Sequence, residues 1–122
     1  MSHLIGPDFI GIQAYDLDAA RNFYSGVLGM EVIDGPPDAV VFDSKPIKFA
    51  VRTPLIDIKP DDKMGLGIAL WFACDDAEAL CEMLVEKNVP IAFPPKDGPF
   101  GRYFAFIDPF GYTITAHTAM AA

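Results

Sequence analysis

His117 is the only histidine beyond the first few residues, and it ends an alternating run, "FIDPFGYTITAH", that begins at Phe106. An imidazole at the end of a strand can ligate a metal, move a proton, or sit at a rim in a hydrogen bond. Its chemistry depends on what else the chain can bring to it. The two cysteines, Cys74 and Cys81, lack the close-paired spacing of a zinc knuckle and make no disulfide framework, so they read as reduced, partly buried thiols. No Ser-His-Asp order, phosphate-cradling Gly-Lys motif or paired-carboxylate site stands out, which leaves little support for a hydrolase or a nucleotide-binding protein. His3 stands near the start of the sequence and is expected to be exposed.

The elements that must position His117 follow from hydrophobic period. "DFIGIQAYD" puts Ile10, Ile12 and Ala14 on one face and Phe9, Gly11, Gln13 and Tyr15 on the other, the pattern of a strand. The period then changes: Ala20, Phe23, Tyr24, Val27 and Leu28 follow an amphipathic helix, capped by Asp16 or Asp18 and ended by Gly29. "MEVI", "AVVF" and "PIKFAVR" are strands separated by turn residues. "RTPLIDIKPDDKMG" reads as a connection, and the order then repeats. "GLGIALWFAC" is a strand; the next helix buries Ala77, Leu80, Cys81 and Leu84 and ends at Asn88, a residue suited to a left-handed cap. "PIAF", "RYFAFI" and "YTITAHT" are the last three strands.

A chain of 122 residues with 52% hydrophobic content can bury one real core. Its formal charge of -8 argues against nucleic acid or an anionic membrane as a partner. No apolar run approaches the roughly 18 residues of a membrane helix, and no basic segment leading into an apolar one opens the sequence. The expected location is the cytoplasm. Aligning Asp16 with Asp76 and Asp43 with Asp108 superposes both strand-to-helix junctions and sets "KFAVR" on "TITAH", with one loop's worth of insertion between. The chain therefore reads as two copies of β-α-β-β-β in a single domain, 1–122: module one at about 7–53, a linker at about 54–65, and module two at about 66–118.

"FIGIQAYDLDAARNFYSGVLGMEV" followed by "DPFGYTIT" resembles the vicinal oxygen chelate superfamily, which includes glyoxalase I, bleomycin-resistance proteins and extradiol dioxygenases. The resemblance spans essentially the whole chain. It implies an α+β fold in which two βαβββ modules form a cup-shaped, curved mixed sheet with the helices outside, often in a homodimer. In metal-dependent relatives the cup holds a divalent ion on four positions, which the resemblance carries to Phe9, Ala50, Ala69 and Thr115. Three apolar side chains and a hydroxyl cannot replace the nitrogen and carboxylate donors such an ion needs at about 2.0 to 2.2 Å. The expectation is no metal and no cofactor.

If Thr115 faces the cup, alternation adds Thr113 and His117 to it, and Lys48 and Arg52 beside Ala50. Phe9, Gln13, Tyr15 and Trp71 complete an aromatic cavity with a few polar groups, as a small-molecule site requires. "PPKDGPFGRY" has the composition of a loop that closes over a ligand with Phe100 and Arg102. The leading expectation is a metal-free protein binding a small aromatic or apolar molecule, with Lys48, Arg52 and His117 favouring an oxyanion and the net charge a cation. A metal-dependent lyase, isomerase or dioxygenase using shifted ligands such as His117 and Glu31 is the alternative, and a metal-free enzyme would use His117 as its base. A dimeric interaction module with a filled cup is the third.

Overall fold

The computed structural model describes residues 2–119. By internal packing the chain divides into two compact units, Met1–Pro60 and Asp61–Ala122. In the first, β1 (Phe9–Gln13) leads into a short helix, α1 (Leu17–Arg21), and three strands follow: β2 (Val32–Ile33), β3 (Ala39–Phe42) and β4 (Lys48–Arg52). The sheet order is β1-β4-β3-β2, with β1 and β4 parallel and the other pairs antiparallel. In the second unit β5 (Leu70–Cys74), α2 (Ala77–Glu86), β6 (Ile91–Lys96), β7 (Tyr103–Ile107) and β8 (Thr113–Thr118) repeat that wiring, with order β5-β8-β7-β6. Each unit is thus a four-stranded mixed sheet with one helical element, as the internal repeat predicts.

Both helices start on an aspartate. Asp16 accepts from the Ala19 amide at 3.0 Å and Asp76 from the Ala79 amide at 3.2 Å, so each cap satisfies a donor that the first turn leaves free. The first helix departs from the predicted period: Asn22–Val27 widens into a π-helical segment in which the Leu28 amide bonds to the Phe23 carbonyl at 2.9 Å. The adjacent Phe23 and Tyr24 are both buried there. Gly29 follows at φ 78°, as a left-handed terminator should, and Asn88 takes the same role after α2 at φ 62°.

Alternation decides which sheet face meets the helix. Ile12, Ala14, Phe49 and Val51 are buried in the first unit, where Tyr24, Phe42 and Phe49 pack with ring centroids 5.1 to 5.8 Å apart. Leu84, Phe104, Phe106, Ile114 and Ala116 form the corresponding core of the second unit. A fully buried aromatic of this size contributes about 1.5–3 kcal/mol by burial.

Several element ends differ from the sequence expectation. "GLGIALWFAC" becomes a strand only at Leu70, because Gly65 and Gly67 turn the preceding segment with φ of 74° and 82°. The "MEVI" strand contracts to Val32–Ile33, "PIKFAVR" starts at Lys48, and "PIAF" extends through two prolines to Lys96. Among the described residues no helix is long and apolar enough to cross a membrane.

The turn that precedes the last alternating run is structural. Asp108 is buried, and its Oδ1 accepts from the amides of Phe110 and Tyr112, each at 2.9 Å. Gly111, at φ 94°, closes the turn by donating to the Asp108 carbonyl at 3.2 Å. The turn fixes where β8 begins, and therefore where Thr113, Thr115 and His117 stand.

Candidate functional site

On the sheet face away from its helix, the first unit carries Phe9 opposite Lys48, Gly11 opposite Ala50 and Gln13 opposite Arg52. Phe9 is 56% exposed and Tyr15, just past the strand, 42%. The Phe9 ring lies against Gly11, where an added Cβ would be 3.2 Å from Cε1. The polar groups of this face are engaged within the unit. The Gln13 Oε1 accepts from the Leu55 amide at 2.6 Å, holding the segment that leaves β4. Lys48 pairs with Asp43, and this hydrogen bond and charge hold the Asp43 carboxyl below the ordinary carboxylate range. Arg52 lies 3.5 Å from Asp38 and donates from Nε to the Thr53 carbonyl at 3.1 Å. The two cations predicted to favour an oxyanion are thus already matched by carboxylates.

The second unit is different. Its registers place Trp71, Thr115, Ala105 and Phe93 in one row across β5, β8, β7 and β6, with Ala73, His117, Tyr103 and Lys96 in the next. Trp71 and Tyr103 lean together over β8 in an offset stack, centroids 5.4 Å apart and planes at 28°. Phe100, from the loop between β6 and β7, meets Trp71 edge-on at 5.9 Å, and Phe93 meets Tyr103 edge-on at 5.5 Å. His117 closes the group, 6.0 Å from Trp71 and 6.4 Å from Phe100. Trp71 remains 43% exposed and Phe100 59%, so the cluster presents ring surface outward.

His117 has a defined orientation. Its Nδ1 is 3.1 Å from the Phe100 carbonyl oxygen, which can only accept, so Nδ1 is the donor of this contact and Nε2 is left for another partner. The imidazole therefore also fastens the loop that carries Phe100. That loop has two further ties: the Thr118 amide donates to the Arg102 carbonyl at 2.8 Å, and Arg102 bridges Glu78 at 2.6 Å and Asp97 at 3.2 Å. The Glu78 bond raises the Arg102 pKa further. Arg102 thus secures the loop to the first turn of α2.

Of the residues expected from sequence, the second unit brings together Trp71, Phe100, Thr115 and His117, with Thr113 exposed at the start of β8. Phe9, Gln13, Tyr15, Lys48 and Arg52 belong to the first unit. Sequence reasoning missed Tyr103, Phe93 and Lys96. Tyr103 was within reach, since alternation from the buried Phe104 and Phe106 turns it outward. Phe93 was not: counted from Ile91, which pairs with the buried Phe106, strict alternation puts it on the helix side, and a register shift in β6 sets it opposite Ala105, on the face that Lys96 shares.

The donor set does not fit a chelated divalent ion. Phe9 and Ala50 in the first unit offer none, and Ala69 and Thr115 in the second offer one hydroxyl. Among the described residues no three His, Cys, Asp or Glu side chains converge. Both thiols are free and shielded; burial first, and the neighbouring Asp75 second, push Cys74 up to about 11. A groove of about 380 Å³ on the helix side, lined by Glu78, Cys81, Glu82, Val85, Glu86 and Pro95, shares no residue with the aromatic cluster.

Comparison with known proteins agrees with this layout. The family model described as Glyoxalase/Bleomycin resistance protein/Dioxygenase superfamily matches residues 6–115. Among solved structures, a glyoxalase/dioxygenase from Nostoc punctiforme aligns with TM-score 0.74 at 18% identity, covering 99% of each chain. An antibiotic binding protein from Streptomyces sp. CB03234 aligns with TM-score 0.70 at 23% identity, covering 98% of this chain and 100% of that one. A lactoylglutathione lyase from Agrobacterium tumefaciens aligns with TM-score 0.69 at 20% identity, covering 91% of both. At these identities the structures speak for the fold. No curated protein matches.

Proposed function

The chain belongs to the Glyoxalase/Bleomycin resistance protein/Dioxygenase superfamily, and from that premise we propose that it is a metal-free member that binds a small aromatic molecule against the open face of its second sheet. The observation that carries the reading is the outward-facing cluster of Trp71, Phe100, Tyr103 and His117, whose rings lie 5.4 to 6.4 Å from their neighbours. A planar ligand gains area and stacking on such a surface, about 0.5–1.5 kcal/mol per aromatic pair beyond burial. The His117 Nε2 supplies one polar group to orient it. An antibiotic binding protein among the structural relatives is in keeping with this use of the fold.

The proposal includes a homodimer in the cytoplasm. Leu4, Ile5, Leu55, Ile56, Leu66 and Ile68 are each at least 68% exposed, apolar side chains that a second copy would cover. Phe9, Gln13, Tyr15, Lys48, Arg52, Arg102, Thr113 and Thr115 remain proposed ligand contacts, those on Lys48, Arg52 and Arg102 requiring exchange of an existing ion pair.

Trp71 is the only tryptophan in the chain, so its emission reports on the site directly. Naphthamide, a neutral bicyclic probe, is expected to quench it saturably and to be retained in equilibrium dialysis. Trp71→Ala should abolish that retention. No retention by the wild-type protein would overturn the reading, and one tightly held transition metal per chain, in protein purified without chelator, would overturn its metal-free part.

A further inference from the structure

On the reading of this face as a ligand site, we infer that its preferred ligand is a planar aromatic molecule carrying an oxyanion, a carboxylate or phenolate, and that Lys96 is the residue that selects it. The inference rests on which charge the face leaves uncompensated. The Lys96 Nζ stands 4.5 Å from the centroid of Phe93 and 5.5 Å from that of Tyr103, the ring stacked on Trp71. Cation-to-ring contacts hold the ammonium over the aromatic row without neutralising it. Among the described residues it has no carboxylate partner. Its chain neighbour Asp97 is engaged instead by Arg102, which also holds Glu78. In the first unit Lys48 and Arg52 are matched by Asp43 and Asp38. The result is a fixed positive charge at one end of a stacking surface.

A register shift in β6 is what brings Phe93 to the face of Lys96. Phe93 pairs with Ala105 and Lys96 with Tyr103, so three steps along β6 cover two along β7 and both side chains reach the same face. A strand without either bulge, counted from Ile91 opposite the buried Phe106, would still put Lys96 on this face but would turn Phe93 to the helix side. The formal charge of -8 favours a cation only at long range; at contact distance the local ammonium decides, because distant charges are screened beyond about 8 Å at physiological salt.

Three probes of one shape separate the possibilities: naphthoate, neutral naphthamide and naphthylmethylammonium, with affinities from equilibrium dialysis and Trp71 emission locating the site. The expected order is naphthoate tightest, by about fivefold over naphthamide, as one partly exposed charge pair provides, and the ammonium weakest. Lys96→Met keeps the apolar stem over the rings and removes the charge. It should bring naphthoate down to the naphthamide value while leaving naphthamide unchanged, which also certifies the fold; Lys96→Gln should do the same. Equal binding of naphthoate and naphthamide by the wild type, a preference for the ammonium, or a naphthoate preference that survives both variants would overturn the inference and leave the aromatic site standing. Failure of all three probes to bind would remove the site itself, and the inference with it.

Discussion

Replacing Asp108 by alanine removes the carboxylate and leaves two buried amides, those of Phe110 and Tyr112, without the Oδ1 acceptor they share at 2.9 Å. A buried donor left unpaired costs about 1–3 kcal/mol. Water entering a turn once the side chain is shortened recovers part of that, so the expected loss is about 3 kcal/mol. Unfolding entropy of about 2.1 cal/mol/K per residue over this chain makes that a fall in Tm of about 12 °C. Asp108→Asn keeps the Oδ1 acceptor and gives up only its charge, for an expected loss of about 1 kcal/mol, or about 4 °C. Thermal unfolding followed by Trp71 emission measures both. An alanine variant within about 4 °C of the wild type, or an asparagine variant as damaged as the alanine one, would show that Asp108 does not organise the start of β8 in this way.

Two more outcomes are expected. In Gly98→Ala the new Cβ would lie 2.7 Å from Cδ1 of Tyr103 and closer still to Cε1; the ring must move off Trp71, shifting the Trp71 emission maximum and costing about 1–3 kcal/mol in urea unfolding, whereas an unchanged spectrum would mean the ring is not seated there. With Cys74 pushed up to about 11, its thiolate at pH 8 is about a hundredfold scarcer than that of an ordinary thiol, so iodoacetamide should label it correspondingly slowly and faster as pH rises toward 11, as read by peptide mass spectrometry; labelling at the rate of a free cysteine would contradict the burial.

Hydrophobic period and the doubled aspartate junctions made most of the fold legible before any coordinates. The faces of β1, β4, β5 and β8 follow from alternation, and the buried Ile12, Val51, Leu70, Ile114 and Ala116 lie where it puts them. Local backbone departures were not legible. The π-helical segment at Asn22–Val27 and the bulges in β6 each add residues to a period that sequence reasoning holds constant. For the candidate site this mattered once, at Phe93, whose face depends on a register shift. Trp71, Phe100 and His117 were identifiable from residue type and strand position. The ion pairs that neutralise Lys48 and Arg52 were not, because Asp43 and Asp38 come from turns whose geometry no pattern specifies.

The prolines inside β6 also bear on solubility. β6 is the outermost strand of its sheet, and an outermost strand ordinarily offers a row of amide donors to any extended chain that drifts past. Pro94 and Pro95 have no amide hydrogen, the bulges around them break the straight edge, and a lysine ends the strand. The margin of the second sheet is thereby blunted against strand-by-strand aggregation, and the bulges that blunt it are the ones that bring Phe93 to the face of Lys96.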